Sequence, residues 1–257
     1  LREIGKIPVK RKEAKKTITL KIGTSFISID QARDNLRKEI PHWNIDKTAD
    51  ETKNKWQKML NRVRIPEAPE EQKRIFYTAM YHSLLYPRIF SEYGRYYSAF
   101  DDSVHQGISY NDYSLWDTFR ALHPLLTFIA PEHVSPMVQS LLQMYREGGW
   151  LPKWPNPAYT NIMIGTHADA VIADAFIKGF RDYDTEEAYQ AVRKNAFVPP
   201  EGDTDNSSWY SSPWEVFKGP VPPGAGNAWW DRQEWTGYEA RGGLTWYEKY
   251  GYVPSDK

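Results

Sequence analysis

Residues 113–149, YSLWDTFRALHPLLTFIAPEHVSPMVQSLLQMYREGG, give the strongest indication of the fold. Apolar residues recur in it every three to four positions, which is the period of an amphipathic helix. We predict one helix from about 115 to 129, with a break or kink at Pro124. A second helix is predicted over about 132–146, ending at the glycine pair 148–149. Two consecutive helices with a short connection indicate a mainly helical domain.

The chain before this stretch predicts one strand and three helices. Residues 17–22 alternate polar and apolar side chains, as a half-buried strand does. A capping box at 28–31 opens a helix that Pro41 closes. A third helix covers about 70–86, and residues 88–113 are predicted to be irregular. The second helix lies between the first and the third and has one apolar face, made of Trp56, Met59, Leu60 and Val63.

Three more helices are predicted after residue 149. One begins near 168, the next opens at 185–187, and a short one lies within 239–250. Residues 199–235 are rich in Pro, Gly and Trp, a composition that indicates a long surface loop. The first of these helices is marked by Val171, Ile172, Ala175, Phe176 and Phe180.

One strand followed by about eight helices, with long loops between alternate pairs, favours a toroidal α/α barrel. A solenoid is the competing architecture, but no repeat of fixed period is present. The lone strand is either an edge strand or part of a sheet whose other strands lie outside this chain, and we favour the second interpretation.

Composition excludes several classes of protein. The 257 residues, 40% of them hydrophobic, suffice for one large domain or two small ones. No apolar run approaches the roughly 18 residues of a membrane span. The absence of Cys excludes disulfide scaffolds, thiolate zinc sites and cysteine nucleophiles. The chain begins at Leu1 without a leader, so we expect any targeting peptide to be missing or removed.

The net charge of zero conceals an asymmetry between the two ends of the chain. Residues 1–64 carry 17 basic and 8 acidic side chains, a net of +9, and residues 65–257 carry 16 and 25, a net of −9. A basic arm can indicate nucleic-acid binding. Here the positive charges at 10–16 come without a nucleic-acid motif, which favours a solvated loop and no nucleic-acid partner. A single-stranded nucleic-acid binder is the weaker alternative.

Aromatic residues make up 15% of the chain, with 11 Trp, 17 Tyr and 10 Phe. Many of them lie in segments that also hold Gly, Pro, Asn and Asp, and such loops run over the surface. Flat rings beside carboxylates and amides suit sugars, whose C–H faces lie on a ring while the hydroxyls form hydrogen bonds. Nucleobases also stack on aromatic rings, but they require a cationic groove. Carbohydrate is therefore the favoured ligand.

Two segments admit both a structural and a functional interpretation. Asp117 either caps a helix or holds two sugar hydroxyls beside the Trp116 ring. Residues 151–161, which include Lys153, Trp154 and Tyr159, form either a sugar platform or a Pro-stiffened turn.

Two further groups of polar residues could serve chemistry or local structure. His167 and the carboxylate two residues later lie too close in sequence for a helical metal pair, and an N-cap is the simpler account. Asp101, Asp102 and His105 share one loop. They could supply acid–base chemistry or oxygen ligands for a hard cation, although turn formation is the commoner use of such acids.

Several collinear motifs resemble glycoside hydrolase family 92. They are residues 25–36 (SFISIDQARDNL), 97–101 (YSAFD), 113–126 (YSLWDTFRALHPLL), 148–155 (GGWLPKWP), 160–168 (TNIMIGTHA) and 251–257 (GYVPSDK). The resemblance covers nearly the whole chain except 200–235.

The resemblance implies calcium-dependent, exo-acting, inverting α-mannosidases that act on mannose-containing oligosaccharides or glycoprotein glycans. It implies the end of an N-terminal β-sandwich over 1–28 and a helical linker over 29–65. The first half of an (α/α)6 barrel would follow over 66–257, with an aromatic insertion at about 200–235. We then expect a bacterial protein that is secreted, periplasmic or associated with the cell surface, and a C-terminal half of the barrel outside this chain.

The family's general acid is a Glu in a Glu-Gly-Asn motif and its base is an Asp in a late acidic motif, both expected beyond Lys257. Here Ala225 stands where that Glu would be, before Gly226 and Asn227. Most calcium ligands are also expected downstream, and no metal ligand is assigned within this chain. The residues carried over are for substrate binding: Trp116, Asp117, Asp101, Lys153, Trp154, Tyr159 and His167.

This sequence departs from the family pattern at 157–160, where PAYT replaces a common Gly-Asn-Glu-Thr. An aromatic ring therefore replaces a carboxylate in a subsite loop, which leaves the linkage specificity open. The missing acid and base also permit an alternative function, a non-catalytic carbohydrate-binding module derived from the same fold.

Overall fold

The computed structural model describes residues 18–160, 163, 165–199, 203 and 239–254. It separates the chain into two units, residues 1–62 and 63–257. The predictions made for the basic segment at 10–16 and for the insertion at about 200–235 lie outside the described residues, apart from Asp203. In the part of the chain that the structure describes, none of the helices combines the length and the hydropathy needed to cross a bilayer.

The first unit contains two helices, α1 (Ile29–Glu39) and α2 (Ile45–Leu60). The predicted cap is confirmed, because Ser28 Oγ accepts a hydrogen bond from the Gln31 backbone N–H at 3.0 Å. Asn44 caps α2 in the same way through the N–H of Lys47. No residue of α2 is buried, and its predicted apolar face is half-buried.

Residues 18–22, within the predicted strand 17–22, pair with no strand among the described residues, so a strand whose partners lie outside this chain stays a prediction. Their apolar side chains are exposed and the polar ones between them are half-buried. The chain directly after them, at Gly23 and Thr24, packs against α1. Asn35 Nδ2 donates to the Thr24 carbonyl at 3.0 Å, and a Cβ on Gly23 would lie 2.4 Å from the Ala32 carbonyl oxygen.

The described residues of the second unit are mainly helical, as predicted, and form four short strands. Its elements are α3 (Glu70–Ser83), β1 (Arg88–Ile89), β2 (Arg95–Ser98), β3 (Ser103–Gln106), β4 (Tyr110–Asn111), α4 (Leu115–Thr118), α5 (Leu122–Ile129), a 3-10 turn (Pro131–His133), α6 (Val134–Gly148), α7 (Ala168–Ile177), α8 (Thr185–Phe197) and α9 (Leu244–Tyr250). The strands form two antiparallel pairs, β1 with β4 and β2 with β3. The prediction that 88–113 is irregular is therefore wrong.

The predicted helix 115–129 is two helices, and the break does not lie at Pro124. The chain turns at residues 119–121, and Pro124 occupies the first turn of α5, where a missing backbone N–H costs nothing. The predicted end of α6 is confirmed, because Gly149 adopts a left-handed conformation with φ 88°.

Helix α6 is the core of the second unit. Ten of its 15 residues are buried, and it contacts β4, α7 and α8. Val138, Leu141 and Leu142 are fully buried, and each contributes about 1.5–3 kcal/mol through its removal from water. The predicted helix is α7, in which Val171, Ile172 and Ala175 are buried. Phe176 is exposed, and Phe180 lies beyond the end of the helix.

Three polar contacts fix the chain around 110–114 to its neighbours. The buried Ser140 hydroxyl accepts from the Tyr110 N–H at 2.8 Å and donates to the Tyr110 carbonyl at 2.9 Å. The Tyr113 hydroxyl donates to the Met137 carbonyl at 3.0 Å. Asn111 Nδ2 donates to the Pro157 carbonyl at 2.9 Å and so ties β4 to the loop after α6. These contacts place the start of α4 beside that loop.

Candidate functional site

A serine hydroxyl joins two loops that the sequence separates by 40 residues. Trp154 Nε1 donates to Ser114 Oγ at 2.7 Å, and Ser114 Oγ donates to Asp117 Oδ2 at 2.7 Å. Ser114 occupies the N-cap position of α4, yet its side chain makes no capping bond to the backbone. Asp117 also takes the hydroxyl of Ser114 instead of capping the helix. The first turn of α4 is therefore arranged around the carboxylate and the indole.

An arginine three residues after Asp117 contacts two aromatic rings. The Arg120 guanidinium is 4.6 Å from the centre of the Trp116 ring and 4.5 Å from that of Phe119. Its Nη1 donates to the Trp116 carbonyl at 2.5 Å. The Phe119 ring stacks in turn on His167, with centroids 4.3 Å apart and planes 3° from parallel. This stack orders the half-buried Trp116 ring and connects it to the start of α7.

The loop at 150–160 is held rigidly from below by Tyr159, which is 6% exposed. Its hydroxyl accepts from the Trp150 N–H at 2.9 Å and lies 2.5 Å from the Trp150 carbonyl. Its ring meets Phe100 edge-on at 4.7 Å. Burial raises the pKa of the Tyr159 hydroxyl well above its ordinary value. The Tyr159 side chain thus lies in the core beneath the loop.

Burial of Tyr159 requires a glycine at position 148. A Cβ there would lie 2.4 Å from the Tyr159 hydroxyl oxygen and 2.5 Å from the ring. The upper side of the loop carries Trp154, whose carbonyl accepts from Thr160 Oγ1 at 2.7 Å. Leu151, Pro152 and Pro155 are buried around it. The buried prolines fit the Pro-stiffened turn that the sequence offered as one alternative, and the sugar platform stays a prediction.

A buried carboxylate supports the loop at Lys153. The backbone N–H of Lys153 donates to the carboxylate of Glu239, which is 1% exposed. Burial lowers the pKa of the Lys153 ammonium; the charge of Glu239 opposes this shift and that of Arg241 adds to it. Sequence reasoning missed Glu239, since 86 residues separate it from Lys153 and no motif surrounds it.

A second carboxylate, Asp169, lies behind His167 in the first turn of α7. It accepts from Thr166 Oγ1 at 2.6 Å and from Asn195 Nδ2 at 2.8 Å, and Arg241 lies 3.3 Å away. Burial raises the pKa of this carboxyl, while both hydrogen bonds and the arginine oppose the shift. His167 is at the N-cap position of α7 but makes no capping bond through its side chain. The cluster fixes the backbone that presents His167.

Asp101 is engaged within the β2–β3 hairpin. Its Oδ2 lies 2.8 Å from His105 Nε2, and its Oδ1 accepts from the Ser103 N–H at 3.2 Å. Asp102 has φ 59° and accepts from the Tyr97 hydroxyl at 2.7 Å. These contacts are those of acids that form a turn.

The structure therefore brings together five of the seven substrate-binding residues taken from the sequence. Asp117 and Trp154 meet through Ser114, and Trp116 is joined to His167 through Arg120 and the Phe119 ring. Lys153 is next to Trp154 in the chain. Asp101 lies in its hairpin, and the Tyr159 side chain is buried. Ser114 and Arg120 belong to the site as well, and their presence in the same motif as Trp116 and Asp117 is the signal that could have identified them.

Comparison with known proteins gives one family. The model of the glycosyl hydrolase family 92 catalytic domain matches residues 31–257. A family GH92 inverting mannosidase from Bacteroides thetaiotaomicron is similar in structure, with a TM-score of 0.72 and 30% identity, over 90% of this chain and 28% of that one. A family GH92 alpha-mannosidase from the same species has a TM-score of 0.61 and 32% identity, over 67% of this chain and 24% of its own.

A curated relative from the fungus Arthroderma benhamiae is described as an uncharacterized secreted glycosidase. It is 25% identical over 244 residues, which make up 93% of this chain and 23% of that protein. The chain thus spans about a quarter of the length of each of these relatives.

Proposed function

This chain belongs to glycosyl hydrolase family 92, and from that membership we propose that it is part of an enzyme that removes terminal α-linked mannose from glycans with inversion. The two bacterial mannosidases that it resembles support mannose as the sugar. Within that enzyme, this chain supplies substrate-binding loops. The observation that carries the proposal is the Ser114 contact, which places an indole edge and a carboxylate side by side.

The chemistry of the cluster suits the sugar to be cleaved. The half-buried Trp116 ring offers a flat apolar surface to the C–H face of a pyranose, and Asp117 offers an acceptor to its hydroxyls. Ser114 donates a hydrogen bond to Oδ2 of that carboxylate. This bond orients the carboxylate and leaves Oδ1 to accept from the sugar. A charge-assisted hydrogen bond from a sugar hydroxyl is stronger than a neutral one, so this acceptor orients the ring.

Inversion requires a general acid at the leaving oxygen and a general base that activates water, with their carboxyl groups about 6.5–9.5 Å apart. Both groups are proposed to lie downstream of Lys257 in the full-length protein. The residues of this chain bind and orient the sugar, with Lys153, Trp154 and His167 on the loops around Trp116 and Asp117. Their positions are fixed by Glu239 and Asp169 beneath them.

Calcium is proposed for the full-length protein, where it would act on the hydroxyls of the sugar. Among the described residues no group of three His, Asp or Glu side chains is arranged to hold a metal ion. The donor sets described in this chain therefore do not fit calcium, and its ligands are proposed to come from elsewhere in the protein.

The proposed organisation of the whole protein follows its relatives. Residues 1–28 would end an N-terminal β-sandwich, 29–65 would be a helical linker, and 66–257 would form the first half of an (α/α)6 barrel. The exposed apolar side chains of the extended segment 18–22 and the separation of residues 1–62 from the rest support this division. The secreted fungal relative supports export of the protein, and a bacterial, periplasmic or cell-surface location is part of the proposal.

Mannose release tests the function. The full-length protein is incubated with the isomers of α-mannobiose, with and without a calcium chelator, and its intact mass is measured. We expect a mass well above 30.0 kDa and mannose release that the chelator abolishes. A stable 30.0 kDa species that binds mannosides without cleaving them would instead identify a carbohydrate-binding module.

Two matched pairs of variants test the site. Asp117→Asn should lower kcat/KM by about 10- to 100-fold, the equivalent of about 1.5–3 kcal/mol for a hydrogen bond to a charged group. Asp30→Asn, an exposed position on α1, should leave it unchanged. Trp116→Ala should raise KM, whereas Trp43→Ala, an exposed tryptophan in the first unit, should not. Equal effects within a pair would contradict the assignment.

A further inference from the structure

A cavity of about 610 Å³ lies beside α6, apart from the cluster around Trp116. It is lined by the 3-10 turn, by α6, by the chain after β3 and by the chain after α7. Its volume is within the range of small-molecule binding sites. The two sites share no residue, since Trp116, Asp117 and Trp154 do not line the cavity.

Three neutral polar side chains of α6 line this cavity. Ser135, Gln139 and Gln143 are spaced by four residues and so share one face of the helix. Ser135 is 5% exposed and Gln143 is 8% exposed. Ser135 Oγ and Gln143 Oε1 are buried and have no hydrogen-bond partner among the described residues. A buried polar atom without a partner is costly, and the nearby core positions of α6 hold Val, Leu and Met instead.

The walls of the cavity define the ligand that would satisfy these atoms. Phe180 and Ile108 offer apolar surface, and two prolines of the 3-10 turn and α6 add to it. Glu132 and Asp182 give the lining a negative charge, which disfavours an anion. A hydroxyl and two amides provide both donors and acceptors without charge. This combination fits a neutral molecule that has hydroxyls on its edges and C–H groups on its faces.

We propose that this cavity is a second carbohydrate-binding site, which takes a neutral pyranoside through Ser135, Gln139 and Gln143. Its ligand would occupy the face of α6 that Ser135 and Gln143 line, with the sugar C–H groups against Phe180. A site of this kind binds another residue or branch of the same glycan and raises the effective concentration of the substrate near the candidate site. The proposal goes beyond the mannosidase function and does not depend on catalysis.

Binding of methyl α-mannopyranoside to the 257-residue chain tests the proposal. Calorimetric titration and saturation-transfer NMR are carried out on the Asp117→Asn variant, so that the cluster around Trp116 contributes little. We expect saturable binding that Gln143→Leu weakens at least tenfold. Gln190→Leu, the matched control on the exposed surface of α8, should leave the affinity unchanged. Absent binding, or equal affinity in the Gln143→Leu variant, would overturn the proposal.

Two further measurements check the folding of the variant and the position of the bound sugar. Circular dichroism checks that Gln143→Leu folds, and the half-buried Gln139→Leu replaces it if it does not. A crystal structure of the chain with the mannoside should show the sugar against Phe180, and a cavity filled with water alone would contradict the proposal. Failure of mannose release by the full-length protein would refute the mannosidase function and leave this binding result intact.

Discussion

Acid should destabilise this protein through one buried imidazole, that of His123. The side chain is 6% exposed on α5, and its ring stacks on Tyr113 with planes 10° apart. Its Nε2 has no hydrogen-bond partner among the described residues. Burial lowers the pKa of His123 from 6.5 to about 4, and the nearby carboxylate of Asp174 opposes this shift only in part. The imidazole is therefore neutral in the folded protein over a pH range in which the unfolded chain is protonated.

The sign and the size of the effect follow from these two pKa values. Because the folded pKa is the lower one, stability is fully present above pH 6.5 and is lost as the pH falls towards 4. At 1.36 kcal/mol per pKa unit, the loss is about 2 kcal/mol by pH 5 and about 3 kcal/mol at pH 4. A loss of this size is a large part of the stability of a typical domain.

Urea unfolding of the chain at a series of pH values, followed by circular dichroism, measures this loss. His123→Phe keeps a ring of similar shape without a titrating group, so its free energy of unfolding should fall less between pH 7 and pH 4 by about 3 kcal/mol. Other acids that titrate in this range are common to both proteins and cancel in the difference. His82→Phe, at an exposed position on α3, should follow the wild-type profile. Parallel profiles for the wild type and His123→Phe would refute the reasoning.

Three other substitutions test the supports of the candidate site. Ser114→Ala removes the hydroxyl shared by the indole and the carboxylate, and kcat/KM of the full-length protein for α-mannobiose should fall by about tenfold. Ser83→Ala at the end of α3 should have no effect, and equal losses in both variants would exclude a positioning role for Ser114. Gly148→Ala forces a methyl group into the Tyr159 ring and should lower the free energy of unfolding by at least about 2 kcal/mol, as measured in urea; wild-type stability would contradict the packing. Tyr159→Phe leaves the Trp150 N–H without its hydroxyl partner and should cost about 1–3 kcal/mol in the same assay, so an unchanged midpoint would show that water replaces the hydroxyl.

Local signals in the sequence predicted the helices well. Ser28 marked the start of α1 and the glycine pair marked the end of α6, because capping depends on a few adjacent residues. Apolar periodicity also placed α6. These features are set within one or two helical turns, so they can be identified without knowledge of the neighbouring elements.

The prediction of an irregular chain over 88–113 failed because strand pairing joins residues that are separated in the sequence. The pairing of β2 with β3 depends on a turn whose left-handed Asp102 carries only a weak sequence signal. The strand at 17–22 stays a prediction, since its partners are expected outside this chain.

The family, the helical class and the motif that carries Trp116 and Asp117 each reside in contiguous residues, and so they could be predicted from the sequence alone. The assembly of the candidate site depends on the tertiary structure. The hydrogen bond from Trp154 to Ser114 spans 40 residues and that from Lys153 to Glu239 spans 86. Contacts of this kind have no period and no fixed spacing, since they depend on where the packed core around α6 leaves each loop.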